Sequence, residues 1–298
     1  MDFQNGEELL ALCSKEQCSI SEIIIRREVS QGEESRDSIL QKMQKAYRIM
    51  ETSAHEPLKS EISTMGGIIG GEAAKLQKHR QAGESLCGDV TARAVMYAMA
   101  VLEVNASMGL IVAAPTAGAS GVVPGVLLSV AEIYEFGEEQ VIEGLFTAGA
   151  VGYLFMRNAS VSGAEAGCQA EVGVASAMAA AAVVELMGGT PEQCLHASAM
   201  AIANLLGLVC DPIAGLVESP CQGRNAIGAS NALTCAFLAL SGVSQKIPFD
   251  EMVETMLKVG KKIPADLRET ALGGCAACKT GRAIKNQYES HTIGVNKI

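Results

Sequence analysis

The chain has 298 residues, 49% of them apolar and only 4% aromatic with no Trp, and its formal net charge is −10. An acidic chain without a long basic cluster lacks the positive footprint that nucleic-acid binding needs. A core without large rings is built from Ala, Val, Ile, Leu and Met, and with no strand-like alternation beyond a few residues the sequence predicts an all-α fold.

The N-terminus, M-D-F-Q-N-G-E-E, has no cationic region followed by an apolar run, so no secretory signal is expected and a cytoplasmic location follows. In that compartment ten cysteines read as reduced thiols or ligands. Residues 1–55 predict a helical cap belonging to the same domain as the body, 56–281, with a tail over 282–298. Ser19-x-x-Glu22 has the form of a capping box before Ile23–Ile25, and Met43, Tyr47 and Met50 continue a helical stripe. Cys13 and Cys18 lie on or beside these helices and read as structural.

Two Gly-Gly pairs then lead into Glu72-Ala73-Ala74-Lys75-Leu76, a helix start whose free N–H groups suit an anion. Asp89–Glu103 is a helix with Val95, Met99 and Leu102 on its apolar face. A run read as buried, Leu110–Ala114, enters Pro115-Thr116-Ala117-Gly118-Ala119-Ser120-Gly121, where small residues leave N–H groups and two hydroxyls uncovered as a cradle for a carboxylate. No Gly-Lys-Ser/Thr follows, so this is not a P-loop. Helices are predicted over Gly137–Phe155 and Val172–Met187, the latter about 16 residues, short of the roughly 20 that span a bilayer. It reads as a buried helix, and no membrane is expected.

Thr190-Pro191-Glu192-Gln193 starts the next helix with an N-cap Thr, a Pro at N1 and a Gln at N3. Two antiparallel helices then bring Cys168 and Cys210 to one end of a bundle. Cys210 and Cys221 stand eleven residues apart among Pro212, Pro220, Gly207, Gly215 and Gly223, a setting that predicts loops. Further helices are expected over Gly228–Gly242, Asp250–Lys262 and Leu267–Leu272. Cys275-Ala276-Ala277-Cys278 has the spacing of a redox pair or half a zinc site, with no second pair. Cys194, His196 and Cys235 read as structural.

Three loop cysteines suggest a metal or cluster site. Zinc competes, but separations of 42 and 11 residues match neither C-x-x-C nor paired His ligands, and His55, His79, His196 and His291 show no ligand spacing. Iron–sulfur clusters take Cys thiolates, commonly four, and with three one iron stays open as a Lewis acid toward a hydroxyl group.

A-P-T-A-G-A-S-G-V-V-P-G, N-A-S-V-S-G-A-E-A-G-C-Q-A-E-V-G and G-L-V-C-D-P-I-A-G-L-V-E-S-P-C-Q-G-R-N resemble the iron–sulfur L-serine dehydratases, specifically the separate alpha subunit of the two-chain type. The likeness covers about Ser63 to Gly281, including G-G-E-A-A-K-L. It implies an all-helical domain holding a 4Fe-4S cluster on Cys168, Cys210 and Cys221, with L-serine bound along Pro115–Gly121. The implied reaction gives pyruvate and ammonia: the open iron takes the hydroxyl, a base takes the α-proton, and aminoacrylate hydrolyses.

The family's Ser-Ser-Ser-His-Thr motif is missing, which implies a beta subunit as partner. Candidates for the base are Lys75, Glu165, Asp211 and Glu218, or a group of the partner. Three departures stand out: Ala170 replaces the usual glycine, the chain ends Asn296-Lys297-Ile298 where single-chain relatives carry a cysteine, and Cys275 and Cys278 are extra. A relative acting on L-threonine or L-cysteine, or a non-catalytic cluster subunit, is the alternative.

Overall fold

The computed structural model describes residues 1–32, 34–83 and 85–295, with side chains through Ser290. The His291 side chain and the terminal Asn296-Lys297-Ile298 lie outside the described residues. Fourteen α-helices follow in order among them: α1 Gly6–Glu16, α2 Ile20–Gln31, α3 Arg36–His55, α4 Glu72–Gln81, α5 Gly88–Ala106, α6 Val122–Tyr134, α7 Glu138–Asn158, α8 Gly163–Ala166, α9 Val174–Leu186, α10 Pro191–Leu205, α11 Cys221–Leu240, α12 Phe249–Gly260, α13 Gly274–Ala277 and α14 Lys279–Val295. The fold is all-α, and the described residues form only one isolated β-bridge, Cys210 to Arg268.

Local chemistry sets the helix starts. Asn5, Ser19, Ser35 and Thr190 each accept the backbone N–H three residues on, and Thr190 with Gln193 completes a reciprocal capping box. The Ala-rich α9 is the central post. Its residues 174–184 are all buried, and α7, α10, α11 and α6 pack around it. Alanine side chains let those helices approach closely, which is how a core with few rings reaches native packing density. The N-terminal helices join the same core: α2 lies on α7 and α3 on α5, burying Phe3, Ile20, Ile23 and Met50.

Two 18-residue windows, Ala117–Tyr134 and Gln169–Leu186, are apolar enough to cross a membrane by composition, and they are 72% and 83% buried inside the fold. Three expectations change. Leu110 is 71% exposed, so the run before the cradle is not a buried one. The helix predicted from Gly228 begins already at Cys221, so that thiol sits at a helix N-terminus, where Pro220 starts the turn. Leu267–Leu272 is not helical, because Glu269 and Ala271 adopt left-handed φ of 62° and 54°. It forms a strap against Cys210 instead.

Candidate functional site

Cys168 caps a π-helical turn, Gln169–Gly173, that opens α9. Gln169 fixes this turn to the loop after α10: its N–H donates to the Leu208 carbonyl at 3.1 Å, and its side chain accepts from Gly207 N at 2.9 Å and donates to the Met256 carbonyl at 2.8 Å. Cys210 lies in that same loop, held by the strap: its N–H donates to Leu267 O at 2.9 Å and its carbonyl accepts from Glu269 N at 2.6 Å. Cys221 follows a cis Ser219–Pro220 bond and begins α11. The predicted hairpin of α9 and α10 thus does return Cys210 toward Cys168.

The cradle is joined to the third cysteine by Asn225, one turn into α11. Its amide donates to the Gly118 carbonyl at 2.8 Å and the Cys221 carbonyl at 3.0 Å, and accepts from Gly121 N at 3.1 Å. The cradle is less open than small residues suggest. Ser120 is buried with its hydroxyl turned onto the Ala117 carbonyl at 2.8 Å, and the Ala119 and Ser120 N–H groups close a 3-10 turn. Thr116, Ala117 and Gly118 remain at the surface of a cavity of about 220 Å³, together with Glu171, Cys210, Pro212, Val217, Cys221 and Glu269. Pro115, Ala119, Ser120 and Gly121 do not line it. The volume lies below the roughly 300–1,000 Å³ of drug-sized ligand sites, which suits a small metabolite.

Burial dominates the thiols. It pushes Cys168 and Cys221 up to about 12 and raises Cys210 strongly, with Glu171 and the neighbouring thiols adding to the rise. Cys210 and Cys221 line one cavity, and Cys210 Sγ lies 3.7 Å from Glu171 in the turn that follows Cys168. Among the described residues no three His, Cys, Asp or Glu converge as a single ion requires. A cluster is itself several atoms wide and asks for a looser set of ligands, and an all-sulfur donor set suits iron–sulfur chemistry. Buried neutral thiols become thiolates beside strong cationic charge, which iron would supply if bound.

Residues 15–276 match the profile of the serine dehydratase alpha chain family. The chain belongs to that family. It is 47% identical over 292 residues to the probable L-serine dehydratase alpha chain of Bacillus subtilis strain 168, covering 98% of this chain and 97% of that one. It is 43% identical over 286 residues to the L-serine dehydratase alpha chain of Peptoniphilus asaccharolyticus, covering 96% and 98%. Against the L-serine dehydratase of Streptomyces coelicolor the identity is 39% over 280 residues, with 92% of this chain but 60% of that one covered.

In this member of the family none of the candidate bases named from sequence lines the cavity, although Asp211 and Glu218 adjoin the lining residues Cys210, Pro212 and Val217. Lys75 is exposed on α4 and pairs with Glu72 at 3.6 Å. The helix start beneath it is not free for an anion, because buried Glu103 accepts the Ala73 N–H at 3.0 Å. Glu165 is exposed and accepts from Ser160 Oγ at 2.6 Å. Glu218 is buried and saturated by Gly66 N, Ile68 N, Ile69 N and Thr64 Oγ1 at 2.6–3.2 Å. Asp211 is paired with Arg224 at 2.7 Å.

The carboxylates that do reach the cavity, Glu171 and Glu269, were missed by reading the sequence. Glu171 accepts from Thr116 Oγ1 at 2.7 Å and lies 3.7 Å from Cys210 Sγ. Burial raises its pKa, and Thr116 draws it back. Gly163 makes room for this contact, since a Cβ there would sit 2.5 Å from Glu171 Oε2 and 3.0 Å from Cys210 Sγ. The position of Glu171 three residues after Cys168 was a usable signal: both ends of one turn face the same place.

Proposed function

We propose that this chain is the alpha chain of an L-serine dehydratase, a lyase that converts L-serine to pyruvate and ammonia with a 4Fe-4S cluster on Cys168, Cys210 and Cys221. The observation that carries the reading is the small cavity where two of those cysteines meet the 116–118 loop and two carboxylates. When bound, a cluster held by three cysteines supplies a Lewis-acidic iron toward the β-hydroxyl.

The chain's own residues account for recognition of an α-amino acid. Ala117 and Gly118 line the cavity, and among the described residues no hydrogen bond takes up their N–H groups, which suits a carboxylate. Glu171 and Glu269 bring to the same cavity carboxylates that suit an ammonium group, with Glu171 so close to the loop that a Cβ on Gly118 would lie 3.1 Å from its Oε1. Thr116 orients Glu171 there. A zwitterion of serine size suits this pairing of amide and carboxylate groups, with its β-substituent left for the cysteines.

The alpha-chain names of the nearly full-length relatives, and the longer single chain of the Streptomyces relative, support a beta subunit as partner. A cytoplasmic enzyme acting on a free amino acid, with neither nucleic acid nor membrane as partner, fits the acidic composition. The test is anaerobic reconstitution with the partner chain and a pyruvate assay on L-serine, with L-threonine and L-cysteine assayed in parallel for their corresponding keto acids. Cluster absorbance with pyruvate from serine is expected. A cluster that survives Cys168→Ser, or a reconstituted complex inert to all three amino acids, would overturn the reading.

A further inference from the structure

We propose that Arg224 is the positioning residue of the three-cysteine site, a buried cation that ties the Cys210 loop to the helix that Cys221 begins and sets the charge beside those thiols. This rests on the reading that those cysteines hold an iron–sulfur cluster.

Arg224 stands three residues after Cys221 on α11, with its side chain only 16% exposed. One guanidinium nitrogen donates to the Val209 carbonyl at 2.7 Å, immediately before Cys210. The other lies 2.7 Å from Asp211 Oδ1, immediately after it, and that carboxylate is 3% exposed. A planar fork therefore brackets Cys210 from both sides, a geometry lysine cannot reproduce. One side chain on the helix that Cys221 begins thus holds the Cys210 loop from both sides.

Asp211 carries the connection one step further. Its second oxygen accepts the Cys275 N–H at 2.6 Å. Gly274, at φ +55°, permits the approach, since a Cβ there would lie 2.1 Å from Asp211 Oδ2. The C-x-x-C segment is absorbed by this network through its backbone N–H, which locks α13 onto the Cys210 loop. The ion pair is oriented, with its cation against the Val209 carbonyl and its anion toward the 274–275 segment. Removing either member changes the net charge beside the thiolates with opposite sign, and cluster potentials follow net charge and hydrogen bonds to sulfur.

The test compares the parent chain with Arg224→Met, Arg224→Lys and Asp211→Asn, each reconstituted anaerobically with iron and sulfide. Iron content, circular dichroism and cluster midpoint potential are measured. A shift to more negative potential is expected for Arg224→Met and to more positive potential for Asp211→Asn, while Arg224→Lys keeps the potential near the parent's but takes up less iron. Unchanged potential in a folded Arg224→Met chain overturns the proposal while leaving the cluster reading intact. If that variant does not fold, the Asp211→Asn arm decides, and an unchanged potential there overturns it equally. A parent chain that takes up no cluster sinks the cluster reading, and this proposal with it.

Discussion

The Ala-rich post α9 and the cysteine junction at its N-terminal end are both buried, yet opposite principles hold them. Around α9 the buried surface is almost wholly apolar, and packing of small side chains against α7, α10 and α11 does the stabilising. At the junction the buried groups are Gln169, Asp211, Glu218 and Asn225, each hydrogen-bonded to a loop, and Gln222, hydrogen-bonded to α5. A helical post needs volume; a loop site needs its backbone polar groups answered, because an unpaired buried N–H or C=O costs as much as a lost hydrogen bond. Damage should therefore be graded in the first region and switch-like in the second.

The sharpest way to break this contrast is Glu218→Ala. Four donors lose one buried acceptor, and a loss of about 3–5 kcal/mol is expected in urea unfolding. In the apolar region Ile202→Ala leaves only a cavity, expected to cost about 2–4 kcal/mol and to spare cluster uptake. A smaller loss for Glu218→Ala than for Ile202→Ala would remove the distinction.

Thr116→Val tests the site without touching the core. It removes the hydroxyl that orients Glu171, and a loss of about tenfold to hundredfold in kcat/KM is expected, the worth of one hydrogen bond to a carboxylate, with Tm and iron content unchanged. Parent-like turnover would show that Thr116 orients nothing.

Glu103 makes a subtler case. It is fully buried between α5 and the starts of α4 and α11, with Oε1 accepting from Ala73 N and Gln222 Nε2 and Oε2 without a partner. Burial raises its pKa, so the acid form is favoured in the fold. Its contribution is complete below pH 4.5 and declines as pH rises through its folded value. Glu103→Gln, a neutral isostere, is expected to flatten that decline with a stability change within about 1 kcal/mol; a steeper decline in the variant would refute it.

A purely pH-dependent effect belongs to the half-buried cluster of His55, Tyr97, Arg93 and Glu132. Burial alone would raise Glu132, but hydrogen bonds from His55, Tyr97 and Arg93 outweigh it and hold the carboxyl down to about 2. Glu132 in turn raises His55 above 6.5. Stability from Glu132 is present above pH 4.5 and lost as pH falls toward 2; that from His55 is present below pH 6.5 and lost as pH rises through its folded value. Glu132→Gln should remove both slopes in a thermal-melt series. Persistence of the alkaline slope would place it elsewhere.

Much of this molecule was legible in its residues. Thr190-Pro191-Glu192-Gln193 announces a helix start because capping is local chemistry, and an apolar run of alanines announces a buried helix because nothing else covers it. The motifs around Cys168, Cys210 and Cys221 singled out three segments that the fold brings to one junction, and their spacing argued against paired zinc ligands. Only the tertiary structure decided which polar groups are spent on the fold and which are left for chemistry. Glu218, a carboxylate beside a cysteine motif, is consumed by the 64–69 loop more than a hundred residues away, whereas Glu171 is brought by the Cys168 turn to face Thr116 and Cys210. The physical reason is that a carboxylate's role depends on the donors that reach it, and those donors come from segments distant in the chain.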